Sequence, residues 1–187
     1  MNRAPELRFR TEKRALSLTL PQRGRETRLE DSFGRTARKL RISVTDRCNL
    51  RCSYCMPLHP QWLPQESLLS FDEIERLAKI GIGLGLNRMR LTGGEPLVRV
   101  GLPFLVERLA ALPGLESIGL TTNGILLEKL ARPLSEAGLD SINISLDTLD
   151  PEGFRSLARA GSLEQVLGGL QEARRFFSNL KLNAVVV

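Results

Sequence analysis

Leu40, Ile42 and Val44 alternate with Arg41, Ser43 and Thr45. Far along the chain, Ile142, Ile144 and Leu146 alternate with Asn143, Ser145 and Asp147 in the same way. A period of two puts apolar side chains on one face and polar ones on the other, so both stretches read as strands with two unlike faces. Three more strand segments are expected: Met89–Leu91, stopped by Gly93-Gly94; Ser117–Thr121; and Leu180–Val187. Helical patterns separate them. Ser70 and Glu73 make a capping box ahead of the apolar stripe Ile74, Leu77, Ala78, and Gly81, Gly83 and Gly85 mark the expected end of that helix. Pro103–Leu112 and Ile125–Ala137 read as helices, the second following the turn Asn123-Gly124 and closed by Gly138 as a C-terminal cap. Asp150-Pro151 reads as an N-cap with proline at the first helical position, and Leu163–Phe177 as a further helix.

This order, strand then helix repeated, predicts an α/β fold with a parallel sheet. In a sheet covered on both sides, central strands are continuous apolar runs. Here Asn143 and Ser145, or Lys181 and Asn183, occupy one face. That face is predicted to line the inside of a barrel or half-barrel. The last strand ends in three valines with no covering helix after it, and such an edge is a liability. The expectation is an N-terminal portion of a longer protein.

The chemistry is concentrated in Cys48-Asn-Leu-Arg-Cys52-Ser-Tyr-Cys55, and the chain has no other cysteine. An odd, clustered trio does not make a disulfide framework; it points to a metal or cluster site in a reducing compartment, the cytoplasm. Three close thiolates suit three irons of a cubane cluster and leave the fourth iron open, whereas an electron-transfer ferredoxin site uses four cysteines. Zinc on the three cysteines plus His59, the only histidine, matches by count. It suits one compact loop poorly, because zinc ligands are usually paired in two separated knuckles. A third reading is a set of buried structural thiols, which Arg47, Asn49 and Arg51 make unsuitable.

Charge narrows the partners. The formal net charge is +6, but residues 1–41 hold 12 Lys/Arg against 5 Asp/Glu, while the remainder hold 15 against 16. The basic excess belongs to the leading segment. Residues 1–28 are read as a basic extension and 29–187 as the core domain. With Phe9 the single aromatic residue among its arginines, the extension reads as a solvated tail, so no nucleic-acid partner is expected. It lacks the apolar core of a secretory signal, and Glu6 and Glu12 count against an organelle transit peptide. No apolar run approaches the ~18 residues of a membrane span, so no membrane partner is expected.

The stretch Leu40-Arg-Ile-Ser-Val-Thr-Asp-Arg-Cys48 through Cys55-Met-Pro resembles the radical S-adenosylmethionine (SAM) superfamily. Together with "RLTGGEP", "GLTTNG" and "INISLDTLDP", it resembles within that superfamily the GTP 3′,8-cyclase family of molybdenum-cofactor biosynthesis. The resemblance runs from about Leu29 to Val187. It implies a partial (β/α)6 barrel, truncated after about the fifth strand. It also implies a [4Fe-4S] cluster on Cys48, Cys52 and Cys55, with SAM on the open iron. The implied lyase reaction converts GTP to (8S)-3′,8-cyclo-7,8-dihydroguanosine 5′-triphosphate through a 5′-deoxyadenosyl radical.

By the same resemblance, Tyr54, Gly94 and Ser145 contact SAM, and Arg41, Arg90, Thr121 and Lys181 contact GTP. An arginine suits that second task because its guanidinium is permanently charged and forks to two oxygens. A reductant such as flavodoxin or ferredoxin and a downstream cyclic pyranopterin monophosphate synthase are the implied partners; the oligomeric state stays open. The loop after Cys55 departs from the family by lacking its acidic residues and glycine. The family's second cluster, on three cysteines of a C-terminal domain, and its terminal double glycine have no counterpart in this sequence. Two rivals follow: another radical SAM enzyme, such as one that modifies peptides, and an inactive cluster-binding fragment.

Overall fold

A computed structural model describes residues 29–185. The expected basic extension, residues 1–28, and the last two valines lie outside the described residues. Five strands form one sheet: β1 (Lys39–Ser43), β2 (Arg88–Thr92), β3 (Ser117–Thr122), β4 (Ser141–Ser145) and β5 (Leu180–Asn183). Every neighbouring pair is parallel, and the spatial order is the chain order. Crossovers between parallel strands are right-handed, so strands laid down one after another in one direction gather their helices on a single face. Those helices are α1 (Phe71–Gly83), α2 (Leu102–Ala110), α3 (Leu127–Glu136), α4 (Pro151–Ala158) and α5 (Leu163–Phe176). The curved α/β half-barrel expected from the polar strand faces is the fold observed.

The register explains which residues meet. Ile42 pairs with Leu91, Leu91 with Leu120, Leu120 with Ile142 and Ile142 with Leu180. This apolar row faces the helices; Leu91, Leu120 and Ile142 have no solvent exposure. Leu105, Leu109, Leu127, Leu134 and Val166 close over it from α2, α3 and α5. Residues one step along each strand point to the opposite, uncovered face. No helix among the described residues is long and apolar enough to cross a membrane.

Local signals held at the helix ends. Ser70 Oγ accepts from Glu73 N while Glu73 accepts from Ser70 N, which is the predicted capping box. Asp150 caps α4 through Gly153 N at 2.7 Å. Gly138 takes the positive φ of a C-terminal cap, at 93°. α1 ends at Gly83, among the glycines expected to close it, and Gly81 in its last turn is buried where a side chain would press on Leu40 and Leu86. Other boundaries moved. α3 begins at Leu127, two residues later than expected, since Asn123 and Gly124 extend the turn. β5 ends at Asn183, so Ala184 and Val185 do not continue the predicted strand.

Leu120 sits in the middle of the central strand with apolar neighbours on both sides. Leu120→Ala is expected to lower unfolding free energy by about 2–5 kcal/mol, measured by denaturant titration.

Candidate metal-cluster and ligand site

The cysteine loop leaves the C-terminal end of β1 and makes almost no regular structure, so its backbone polar groups need outside partners. Two neighbours supply them. Arg51 N donates to Ala158 O and Ser53 N to Leu157 O, both at 2.9 Å. These are free carbonyls at the C-terminal end of α4, which have no partner within their own helix. From the other side, Gly94 N donates to Thr45 O and Glu95 N to Arg47 O, each at 2.8 Å. A Cβ on Gly94 would stand 2.4 Å from Arg47 O and 2.5 Å from Asp46 O. The double glycine is thus required for the β2 loop to lie against the cysteine loop. Within the loop, Cys55 N and Met56 N both donate to Cys52 O at 3.0 Å. Arg51 ties Cys48 O and Leu50 O with one guanidinium nitrogen and stacks on Trp62.

All three cysteines are free; Cys48 and Cys52 are half-buried and Cys55 is exposed. Burial pushes the Cys48 thiol above its ordinary value, opposed by the Leu50 N–H and reinforced by Glu95 and Cys55. Burial raises Cys52 as well, with Cys48, Cys55 and Asp147 adding to it. The sulfurs therefore feel one another's charge, and a cationic centre is needed to hold them together as thiolates. Binding such a centre expels protons, so loading is favoured as pH rises.

The donor set, three thiols on one short loop, suits a cubane better than a single zinc ion. Tetrahedral zinc with Zn–S of about 2.3 Å gathers its sulfurs to within about 4 Å of each other. Among the described residues, no three His, Cys, Asp or Glu side chains gather in that way. His59, the fourth ligand of the zinc reading, is exposed. In a cubane each thiolate holds a different iron, so the sulfurs surround the group without converging on one point.

Tyr54 and Ser145 come together with Cys52. A cavity of about 50 Å³ is walled by Cys52, Tyr54, Asn123, Ser145 and Asp147 among others. The Tyr54 hydroxyl donates to Asp147 Oδ2, and Asp147 Oδ1 accepts from Val185 N at 2.9 Å. Burial and this carboxylate push the Tyr54 phenol well above its usual value, so it stays a neutral donor.

The remaining predicted residues lie on the uncovered face of the sheet. Arg41 pairs in register with Arg90, Arg90 with Gly119, and Gly119 with Ser141. In the next row Thr121 pairs with Asn143 and Asn143 with Lys181, and Lys181 is exposed. Arg90 lies across the sheet: Nη1 donates to Leu120 O at 2.9 Å and Nη2 to Ser141 Oγ at 3.3 Å. A Cβ on Gly119 would be 2.7 Å from Arg90 Nη2, so the glycine makes room for the guanidinium. Burial and the neighbouring Arg41 charge lower the Arg90 pKa. No carboxylate among the described residues forms an ion pair with either arginine. Two adjacent cations without an acid favour an anionic ligand.

The family is decided by sequence comparison. A family model described as the radical SAM superfamily matches residues 42–187. The chain belongs to that superfamily. It is 52% identical over 158 residues to GTP 3′,8-cyclase 1 of Pseudomonas aeruginosa, covering 84% of this chain and 48% of that protein. It is 46% identical over 162 residues to the GTP 3′,8-cyclase of Thermodesulfovibrio yellowstonii, covering 85% of this chain and 50% of that one. The chain spans about half the length of the curated relatives it matches. Among solved structures, SuiB of Streptococcus suis superposes with a TM-score of 0.65 at 20% identity, over 81% of this chain and 33% of that chain. Methylornithine synthase gives 0.60 at 20% identity, over 78% and 44%. These two likenesses establish the radical SAM fold alone. The superfamily's cofactors are a [4Fe-4S] cluster and SAM, and the three thiols of this loop fit the first of them.

Four residues in or beside the site were not singled out by sequence reasoning: Glu95, Gly119, Asn123 and Asp147. Each sits inside or next to a motif that was noticed, but none carries a spacing signal of its own. Gly94→Ala is expected to push the cysteine loop off the β2 loop and reduce iron retained after anaerobic reconstitution. Gly83→Ala, where nothing lies within 4 Å of an added Cβ, is expected to leave iron content and thermal midpoint unchanged or slightly improved. Equal iron in both variants would contradict the packing role of Gly94.

Proposed function

We propose that this chain is the cluster-bearing core of a radical SAM GTP 3′,8-cyclase in molybdenum-cofactor biosynthesis. Cys48, Cys52 and Cys55 hold the [4Fe-4S] cluster. When bound, the cluster with SAM supplies the reductive cleavage that starts radical chemistry on the substrate. Tyr54, Gly94 and Ser145 line the SAM subsite around the strand ends. Arg41 and Arg90 receive the triphosphate or guanine of GTP, and Thr121 and Lys181 extend that surface along the next row. The observation that carries the substrate assignment is the Arg41–Arg90 pair, adjacent in register and without an ion-paired acid among the described residues. The roughly half identity to named GTP 3′,8-cyclases supports the same reading. A flavodoxin- or ferredoxin-type reductant and a cyclic pyranopterin monophosphate synthase are the proposed upstream and downstream partners.

The residues' own work in this scheme is placement and shielding. Arg90 is held by Leu120 O and Ser141 before any ligand arrives, so less ordering is needed on binding. The sheet keeps the substrate face on the side away from the helices and at the strand ends beside the cysteine loop.

Two measurements test the assignment. Anaerobically reconstituted chain is expected to contain iron and sulfide and to cleave SAM under strong reductant, while Cys52→Ser loses the brown absorbance. Unchanged iron in Cys52→Ser would remove the cluster assignment. Arg90→Ala is expected to weaken GTP binding about 10–100-fold by titration, the loss of one or two charge-assisted hydrogen bonds. GTP affinity untouched by that change, with the cluster intact, would favour the peptide-modifying rival.

A further inference from the structure

Glu95 is the most deeply buried acid described, with 1% of its surface exposed. Among the described residues, no basic side chain pairs with it. Instead Oε1 accepts from Leu97 N at 3.0 Å and from the Thr122 hydroxyl at 2.7 Å, and Oε2 accepts from Asn123 N at 2.7 Å. Burial raises its pKa, and these three donors act against that rise. A buried carboxylate held only by neutral donors is costly, and the β2 loop is already fixed by its own backbone bonds to Thr45 and Arg47. What the carboxylate adds is a fixed position for Asn123.

The Asn123 side chain has one orientation available. Its Oδ1 accepts from Ile125 N at 3.1 Å, which settles which end is the oxygen. Nδ2 is thereby aimed at the cysteine loop, donating to Asn49 Oδ1 at 2.8 Å and reaching Cys48 Sγ at 3.9 Å. Leu50 N donates to the same sulfur at 3.4 Å. The Cys48 sulfur thus receives a backbone donor and a side-chain donor, and the second is held from behind by a buried acid.

We infer that Asn123 is a positioning residue that tunes the cluster through the Cys48 sulfur, and that Glu95 holds it in place. This rests on reading Cys48 as a cluster ligand. Hydrogen bonds to a ligating sulfur withdraw charge from the cluster and favour its reduced state. The Asn123 amide therefore raises the reduction potential, and its removal makes the cluster harder to reduce.

The test is an EPR-monitored redox titration of the full chain reconstituted with iron and sulfide, with iron content measured on each sample. Asn123→Leu removes the amide donor without adding a charge, and its potential is expected to fall below that of the unaltered chain. In the Glu95→Gln background the same substitution is expected to lower the potential by less, because the amide is no longer held; comparing the two shifts cancels the effect of the carboxylate's own charge on Cys48. An unshifted potential in Asn123→Leu at equal iron content overturns the inference, and an equal shift in both backgrounds overturns the role of Glu95. If Glu95→Gln fails to fold, Asn123→Leu decides alone, because it leaves the buried carboxylate in place. An unaltered chain that takes up no iron overturns the cluster assignment itself, which separates that failure from this one.

Discussion

A loop that carries three thiols and forms no helix or strand has to borrow partners for its backbone, and the rest of the site depends on where it finds them. One set is the carbonyls at the end of α4; the other is the amides of Gly94 and Glu95 after β2. Both sets lie at the same end of the sheet, because parallel strands bring all their C-terminal ends to one side. The cysteines are therefore held by elements far apart in sequence that the parallel order makes neighbours.

The same ordering explains the ligand face. Helices collected on one side leave the other side free, and polar residues can then occupy every second strand position without a burial cost. Arg90 shows how far this goes. A guanidinium lying flat on a sheet needs an acceptor and a gap beneath it, and the Leu120 carbonyl and the missing side chain of Gly119 provide them. An isolated strand would not hold the arginine down. It takes three adjacent strands in one register.

Much of this was legible in the sequence for physical reasons. Period-two alternation in Leu40–Thr45 and Ile142–Asp147 gave both the strands and the side that faces away from the helices. The cysteine spacing gave the cluster loop. The resemblance, not the residue pattern, names Arg41, Arg90, Thr121 and Lys181 together, and the register puts them in two adjacent rows. What escaped was contact between segments. Glu95 reads as a charged loop residue, yet it is buried, because Thr122 and the Asn123 amide come to it from another strand. Asn123 reads as a turn former, and it is one, but its amide also reaches a sulfur. The start of α3 moved for a similar local reason: Leu127 N bonds back to Gly124 O, so the Asn123-Gly124 turn takes two residues from the expected helix.

Asp147 grips two distant pieces of chain at once, the Tyr54 hydroxyl in the cysteine loop and the Val185 amide just past β5. A carboxylate on a short stem cannot follow one partner without loosening its hold on the other. A tug on the backbone beyond the fifth strand is consequently felt at the rim of the cysteine loop, with this single side chain acting as the linkage rod between them.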